Sequence, residues 1–547
     1  MAAISGWTPR NKKNQQYSED GNPSNRRILI HENEEDDYDY VQEKYSRENR
    51  EESRAEHNAE DREHREYRNN QRSKANTGII PEVLLGNDLS KGRPRVGDDA
   101  RTTFYSPDGS CFTMNMEQYS THLLLLGGIG CGKTNVFNHI IQSLRSRMTT
   151  LDVMFILDSK GDFYREFYKP GDVVIGNGKR YRRQSSVWNI YGEVMGRMPR
   201  PGERYEYKKE WDLNAREIMK ALFKNRRSST QPFFADAAAD LISMKIISVL
   251  RSGNLEEMHT YKLKEFFKSA QVKDYDALTC DPSNRDFAGG KQYYGDGTTP
   301  QALAVFAYIN SLVSECFVGV FGDEKPYSGD RYRTERYGMH DGGEFAGEFA
   351  MRDLVREKNK RVIFVEYDLS VGEVLGPIYQ LLYDQALKEA LGRNDMECEE
   401  AQGNVFMICD ELKLLGAVSH QDDGLNFGRS LGVKIVAGLQ SVNQIYDIYG
   451  EAKGKVILSG FSNMFCFRTG DAETRKFISE HFGCNYTDIK LWNEGFEPRH
   501  IPRDSNVVEQ WDVQNLSRGE AIIDLWDKEP QQPFKFCFSR FDSENES

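Results

Sequence analysis

The chain has 547 residues, of which 38% are hydrophobic and 29% are charged, a composition typical of soluble globular proteins. Lys and Arg number 72 and Asp and Glu number 85, so the net charge of −13 would repel DNA and anionic lipid, and any nucleic-acid contact requires a local basic patch. The sequence shows no apolar run long enough to span a membrane, no secretory signal and no paired-cysteine pattern, which favours a cytoplasmic protein without a disulfide framework or zinc site.

The first 80 residues are unusually polar. They contain 14 basic and 17 acidic side chains and few hydrophobic ones. Such a segment buries too little apolar surface to offset its chain entropy. We therefore predict a disordered charged tail over residues 1–80, with at most a transient helix over 43–68. It is either a docking tail or a solubilising extension.

From about Ile79 onwards, short apolar runs alternate with segments of helical periodicity. Continuous apolar runs of four to six residues are typical of strands buried on both faces of a parallel sheet. The predicted strands are Leu123–Leu126, Val153–Leu157, Val362–Val365, Val405–Ile408, Lys434–Gly438 and Met464–Phe467. The pattern predicts an α/β fold with a mainly parallel sheet.

Between residues 201 and 325 the strand pattern is interrupted by helical periodicity. One apolar helical face runs from Phe234 to Leu250 and another from Ala302 to Cys316. We predict an all-α insertion, followed by a surface connection over Gly319–Gly347. Two closing strands are expected at Ala521–Leu525 and Phe534–Phe538, the second of them antiparallel or at an edge. The predicted domains are a tail (1–80), the first part of an ATPase domain (81–200), the all-α insertion (201–325) and the second ATPase part (326–547).

A phosphate-binding loop pattern follows the first predicted strand. The string GGIGCGKT contains Gly127-x4-Gly132-Lys133-Thr134 and opens a helix. Glycines allow backbone N–H groups to surround phosphates, Lys133 would reach the β- and γ-phosphates, and Thr134 would bind Mg²⁺. A structural turn is the alternative. The predicted nucleotide-binding residues are Gly127, Gly128, Ile129, Gly130, Cys131, Gly132, Lys133 and Thr134, together with Asp410.

Adjacent carboxylates follow the strand Val405–Ile408. A P-loop enzyme needs a carboxylate at a neighbouring strand end for its magnesium ion. We assign Asp410 to the metal and Glu411 to the attacking water, since a pure binding switch needs no base. Without the P-loop, this pair would be read as an ordinary loop start.

Further candidates are an amide and several arginines. Gln440 follows the strand Lys434–Gly438 and suits a sensor of the γ-phosphate, although a polar loop start is the alternative. Arg429 is the first candidate for an arginine that a neighbouring subunit supplies in trans, and Arg468 or Arg475 is the second. Each of these arginines could instead form a surface salt bridge.

Three basic clusters are candidates for DNA contact. They lie at residues 179–183, 208–209 and 224–227. They could line a channel for the phosphate backbone, with Tyr181 stacking on a base. A solvated turn is the alternative for each cluster.

Several of these strings together resemble the type IV secretion coupling proteins, the ATPases of conjugative DNA transfer. They are GGIGCGKT, LDSKGDF (157–163), SVWNIYGE (186–193), CDEL (409–412) and GRSLGVKIVAGLQSVNQIYDIYG (428–450). The resemblance implies a RecA-like motor domain, ATP and Mg²⁺ as cofactors, and a homo-hexamer with a DNA channel. It also implies that Gln440 and Arg429 couple subunits. The family's aspartate-proline-lysine-glycine string is Asp158-Ser159-Lys160-Gly161 here, which makes Asp158 and Lys160 secondary candidates.

The function that this resemblance implies is a ring motor. It would bring DNA, single-stranded by expectation and bound to a relaxase, to a type IV secretion channel and drive conjugative transfer. Its partners would include the channel ATPase or a membrane anchor protein, because the family's N-terminal transmembrane helices are replaced here by a charged tail. Peripheral membrane docking through a partner is therefore expected, and an ATPase that works off the membrane is the alternative. The alternatives are a nucleotide-gated adaptor that recruits protein substrates and a motor for segregation or packaging of duplex DNA.

Overall fold

The fold was analysed in a computed structural model of the chain. It describes residues 82–181, 184–200, 202–323, 347–392, 403–491, 499–528 and 531–542. The predicted tail over residues 1–80 and most of the predicted connection over 319–347 lie outside these ranges.

The strands and helices are numbered here in chain order. The strands are β1 (Glu82–Leu85), β2 (Thr102–Tyr105), β3 (Cys111–Met114), β4 (Leu123–Leu126), β5 (Val153–Asp158), β6 (Val173–Ile175), β7 (Val187–Trp188), β8 (Glu348–Phe349), β9 (Arg361–Glu366), β10 (Val405–Cys409), β11 (Val433–Leu439), β12 (Asn463–Phe467), β13 (Cys484–Leu491), β14 (Arg499–Asn506), β15 (Glu520–Asp524) and β16 (Phe534–Cys537). The helices are α1 (Met116–Ser120), α2 (Lys133–Ser146), α3 (Asp162–Phe167), α4 (Ile190–Met195), α5 (Glu210–Phe223), α6 (Phe233–Ser252), α7 (Thr260–Ser269), α8 (Val272–Thr279), α9 (Lys291–Tyr294), α10 (Pro300–Glu315), α11 (Met351–Glu357), α12 (Gly372–Leu391), α13 (Gln421–Phe427), α14 (Asn443–Tyr449), α15 (Glu451–Ser459), α16 (Ala472–Phe482) and α17 (Gln510–Gln514).

A nine-stranded sheet forms the centre of the fold. Its strand order is β16-β15-β12-β4-β11-β10-β5-β9-β6. Neighbours from β12 to β6 pair in parallel, whereas β15 and β16 add two antiparallel strands at one side. The six predicted strands become β4, β5, β9, β10, β11 and β12, which confirms the α/β fold with a mainly parallel sheet.

Apolar packing on both faces explains why the central strands are continuously hydrophobic. Leu124 and Leu126 of β4 face a core shared with the helical insertion, whereas Leu123 and Leu125 face a second core shared with α2. All four leucines are fully buried. Successive strand residues point to opposite faces, so a strand covered on both sides has no polar alternation.

One continuous segment of the chain, between β7 and β8 in the sequence, forms the helical insertion. Helices α5 to α10 span Glu210–Glu315, and the described residues 202–323 contain no strand. Just before and after this segment, β7 and β8 pair in parallel through Val187 with Glu348 and Trp188 with Phe349. The all-α insertion in an α/β core agrees with the predicted fold class. The boundaries at residues 201 and 325 stay a prediction.

Three small features were missed by the sequence analysis. Strands β1, β13 and β14 form a separate antiparallel sheet, β2 and β3 form a hairpin, and β6 adds an edge strand to the central sheet. The sequences of β13 (CNYTDIKL) and β14 (RHIPRDSN) are largely polar: β14 is mostly exposed, and β13 buries the polar side chains of Asn485, Thr487 and Asp488. They therefore lack the apolar pattern that identifies a buried strand.

Within the described ranges, none of the helices combines the length and hydrophobicity that crossing a bilayer requires.

Candidate functional site

The loop between β4 and α2 adopts a conformation that glycine permits. Gly130 and Gly132 have φ values of 73° and 115°, which other residues rarely adopt. A Cβ on Gly132 would also lie 3.1 Å from the Cα of Gly519. The first loop N–H groups are fixed by neighbouring strands, because Gly127 donates to the Leu439 carbonyl (3.0 Å) and Gly128 to the Arg468 carbonyl (2.9 Å).

Lys133 is the first residue of α2 and is directed back into this loop. Its Nζ donates to the carbonyl oxygens of Gly127 (2.5 Å) and Gly128 (3.1 Å), and the residue is only 8% exposed. The loop carbonyls thus hold this amino group at the amino end of a helix, where anions are favoured. Ile129, at the tip of the loop, is 88% exposed.

Thr134 and Asp410 meet across two adjoining elements. The Thr134 Oγ1 donates to the Asp410 Oδ2 at 3.2 Å. Burial raises the pKa of Asp410, and the nearby Lys133 and Lys160 oppose that rise. A hydroxyl and a carboxylate oxygen at this spacing are the ligand types that Mg²⁺ binds, so the predicted metal pair fits the ion.

Glu411 and Gln440 lie side by side because β10 and β11 are neighbours. The Gln440 Nε2 donates to Glu411 Oε2. The other carboxylate oxygen, Oε1, is buried and has no hydrogen-bond partner among the described residues. The amide therefore orients the carboxylate and leaves one oxygen available to accept a proton.

Asp158 and Lys160, the secondary candidates, have different roles in the structure. The Asp158 carboxylate accepts hydrogen bonds from the N–H groups of Gly161 (2.7 Å) and Tyr164 (2.8 Å) and from the Tyr181 hydroxyl (3.2 Å). Asp158 thus fixes the loop after β5, and Lys160 on that loop is exposed near Asp410. Tyr181 is only 3% exposed, so the predicted stacking of this ring on a base is wrong for this conformation, because the ring packs inside the loop instead.

The candidate arginines lie at both edges of the sheet. Arg429 precedes β11 and therefore lies at the amino edge, roughly 20 Å of strand from its own P-loop. It is exposed, pairs with Glu117 at 3.3 Å and lies 4.8 Å from the Trp526 ring centroid. Arg468 follows β12 beside the loop, and Arg475 donates to the Gly470 carbonyl at 2.7 Å.

The structure brings Lys133, Thr134, Asp410, Glu411 and Gln440 together, and Arg429 is not part of that group.

The basic clusters are partly used within the chain. Arg226 pairs with Glu315 at 2.8 Å and Arg227 with Asp236 at 2.9 Å. Lys208 and Lys209 are exposed. The cluster at 224–227 therefore has less free charge than its sequence indicates.

Contacts from the C-terminal strands were missed by the sequence analysis. The Gly519 N–H donates to the Cys131 carbonyl at 2.9 Å, and the Asn135 side chain contacts Ser539 and Phe541. About 400 residues separate these partners from the loop, and no local pattern in the sequence marks them. Only the strand order, in which β12 lies next to β4 and β15 lies next to β12, shows that they are close.

Comparisons with known proteins agree with this arrangement. Residues 109–279 and 343–535, roughly two thirds of the chain, match the model of the type IV secretion-system coupling protein DNA-binding domain. The chain belongs to this family. The interruption of the match, at 280–342, covers the end of the helical insertion and the connection that follows it.

Individual relatives of this coupling protein are distant in sequence. It is 21% identical over 369 residues to the coupling protein TraD of Escherichia coli (strain K12), a match that covers 66% of this chain and 43% of TraD. The chain therefore spans less than half the length of that curated relative. The structure of the bacterial conjugative coupling protein TrwBdeltaN70 in an unbound form is similar with a TM-score of 0.62 and 15% identity, over 86% of this chain and 96% of TrwB. TrwB in complex with ADP and Mg²⁺ gives a TM-score of 0.59 and 16% identity, over 86% and 97%.

Proposed function

We propose that this coupling protein is an ATP-hydrolysing ring motor that couples relaxase-bound DNA to a type IV secretion channel and drives conjugative DNA transfer. The observation that carries the proposal is the convergence of Lys133, Asp410 and Glu411 at one edge of the sheet. A nucleotide-binding switch needs the first two, whereas a carboxylate with a free oxygen beside them serves hydrolysis.

In this proposal, some residues of the site bind the nucleotide and others assist proton transfer. Lys133 and the loop N–H groups bind the β- and γ-phosphates, with Thr134 and Asp410 as the ligands of Mg²⁺. Bound Mg²⁺ would neutralise phosphate charge. Glu411 orients the attacking water and accepts its proton, while Gln440 holds the carboxylate in place. TrwB has been crystallised with ADP and Mg²⁺ and with non-hydrolysable ATP and GTP analogues, which supports a nucleoside triphosphate as the ligand.

The assembly is a homo-hexamer in this proposal. Arg429 is exposed at the amino edge, where it can reach the site of a neighbouring subunit and stabilise transition-state charge. To make that contact, Arg429 gives up its ion pair with Glu117 and its packing on the Trp526 ring. Residues 201–325 form an all-α domain at one end of the ring, and single-stranded DNA passes through the channel. The partners in this proposal are a relaxase and either the channel ATPase or a membrane anchor protein, through which the protein would dock at the inner face of the membrane.

ATP hydrolysis by the purified chain tests the proposal. Turnover is measured with and without single- and double-stranded DNA, across protein concentrations and at two salt levels, with Lys133→Ala as the control. A ring with a trans arginine gives turnover that rises faster than linearly with concentration and increases with DNA, most at low salt. Turnover that is flat in concentration and DNA would contradict the motor, and tight relaxase binding would then favour the adaptor. Stimulation by duplex alone would favour a segregation or packaging motor.

A further inference from the structure

The C-terminal strands form one side of the phosphate-binding loop. The Gly519 N–H donates to the Cys131 carbonyl (2.9 Å), and the Gly519 carbonyl accepts from the Phe538 N–H (2.8 Å). Gly132 and Gly519 approach so closely that a Cβ on Gly132 would lie 3.2 Å from the Gly519 nitrogen. The end of the chain is therefore in direct backbone contact with the loop.

A second contact holds the first turn of α2. Asn135, the residue after Thr134, donates from Nδ2 to the Ser539 carbonyl (2.9 Å) and accepts at Oδ1 from the Phe541 N–H (2.7 Å). The His139 Nε2 lies 3.1 Å from the same Ser539 carbonyl, and its ring packs on Phe541 at 5.3 Å between centroids. Both polar atoms of the Asn135 amide are thus used to bind residues 539–541.

These contacts place two arginines of the C-terminal segments beside the loop. Arg518 directly precedes Gly519, and Arg540 lies between the two residues that Asn135 binds. Both are exposed, and neither guanidinium has a hydrogen bond or ion pair with another residue in the described part of the chain. One arginine flanks the loop at Cys131, and the other flanks it at Asn135.

We propose that Arg518 and Arg540 bind the phosphate groups of the nucleotide held by the same chain, and that Asn135 positions Arg540. The inference rests on the proposed ATPase function and extends it to residues outside the P-loop motif. An arginine offers a planar pair of donors that matches a phosphate, and the amino end of α2 adds to the same field. The C-terminal strands complete the nucleotide site in cis, whereas Arg429 belongs to the subunit interface.

Nucleotide binding to the full chain tests the inference. Equilibrium dissociation constants for ATP, ADP and adenosine are measured by calorimetry for the wild type, Arg518→Ala and Arg540→Ala. Each variant should weaken ATP binding about five- to tenfold and leave adenosine binding unchanged, because a guanidinium acts on phosphate charge. Arg518→Lys and Arg540→Lys should give intermediate losses, since lysine keeps the charge and loses the fork. Asn135→Ala should weaken ATP binding in the wild type and have little further effect in Arg540→Ala.

Two controls separate the inference from the proposed function. Arg285→Ala removes an exposed arginine from the helical insertion and should bind ATP like the wild type. Lys133→Ala removes the central P-loop charge and should abolish ATP binding. If Lys133→Ala weakens binding while Arg518→Ala and Arg540→Ala match Arg285→Ala, the inference is overturned and the ATPase proposal stands. If the wild type does not bind ATP, or Lys133→Ala binds it normally, both are overturned.

Discussion

The two edges of the central sheet carry polar side chains that differ in how completely they are hydrogen-bonded. At the amino edge, His122, Asp152 and Asn463 bond to backbone groups of neighbouring segments. At the carboxyl edge, Lys133 bonds only to its own loop, and one oxygen of Glu411 has no partner among the described residues. We expect side chains whose hydrogen bonds are all made within the chain to stabilise the fold, and those with an unused donor or acceptor at the carboxyl edge to be open to a ligand. Substitutions at the first edge should therefore affect stability, and those at the second should affect turnover.

The largest expected effect is at the carboxyl edge. Glu411→Gln should lower ATP turnover about a thousandfold, because the amide cannot accept a proton from water. The dissociation constant for ATP should change less than about twofold, and the free energy of unfolding less than about 1 kcal/mol, because glutamine has the same shape and its carbonyl oxygen can still accept the hydrogen bond from Gln440. Steady-state hydrolysis, calorimetric titration and urea denaturation measure the three quantities. A loss of unfolding free energy in Glu411→Gln well above this limit would contradict the proposed difference between the two edges.

Asn463→Ala should give the largest loss of stability. The Asn463 Nδ2 lies within 2.7–2.9 Å of the Gln118 carbonyl, the Thr121 hydroxyl and the His122 carbonyl, and its Oδ1 accepts from the Trp526 N–H. Removing the amide leaves several buried groups unpaired, which should lower the free energy of unfolding by about 3 kcal/mol. Chemical denaturation provides the measurement.

The control for Asn463→Ala is Asn426→Ala, which removes an exposed asparagine that bonds only to Asp422. It should cost less than about 0.5 kcal/mol. Equal losses in the two variants would contradict the structural role of the amino edge.

Acid should destabilise the fold through His122. Burial lowers the pKa of His122 to about 4, and its Nδ1 accepts a hydrogen bond from the Ile435 N–H at 3.1 Å. An unfolded histidine has a pKa of about 6.5, so the unfolded chain takes up a proton first and stability falls as pH decreases from about 6.5 to 4. Between pH 7 and pH 5 this histidine should account for about 2 kcal/mol of lost stability.

Denaturation of His122→Gln at both pH values measures that contribution, because glutamine does not titrate. The variant should lose about 2 kcal/mol less than the wild type over this interval. A pH dependence equal to that of the wild type would show that other groups cause the acid sensitivity.

The smallest effect is expected at Lys434, also at the amino edge. This residue is only 4% exposed, and burial lowers its pKa to about 8. Its Nζ makes one long hydrogen bond, 3.4 Å, to the Gly432 carbonyl. Replacing a poorly paired buried charge by an apolar side chain of similar volume is often neutral or stabilising, so Lys434→Met should raise the free energy of unfolding by about 1 kcal/mol. A loss in thermal denaturation would show instead that the ammonium group stabilises the fold.

The sequence identified the parts of the molecule whose physical signal is local. Strands such as Val405–Ile408 are apolar throughout because both faces are covered, and the glycines of the P-loop are required by its backbone conformation. The carboxyl ends of parallel strands share one edge, so the sequence alone predicts that Asp410, Glu411 and Gln440 lie near Lys133. Whether each of these residues performs its assigned role stays a prediction.

Other features depend on contacts between distant segments. The polar strands β13 and β14 are stabilised by pairing with each other, which a one-strand pattern does not reveal. Tyr181 lies in a basic segment that the sequence indicated as a candidate for DNA contact. Its hydroxyl instead donates a hydrogen bond to the Asp158 carboxylate inside the structure. The contact of Asn135 with Ser539 joins segments that are 404 residues apart in the sequence and follows only from the strand order.

That strand order also determines when the site can form during synthesis of the chain. Among the described residues, strand β4 pairs with β11 and β12, so its first neighbour is made about 300 residues later. Helices of the insertion are complete long before that, and local contacts of this kind fold early. The loop cannot make its contacts with Gly519 and Ser539 until those residues have been synthesised, about 400 residues later. Until then, a growing chain contains the P-loop motif without the contacts from Gly519, Ser539 and Phe541 that hold the loop and the first turn of α2.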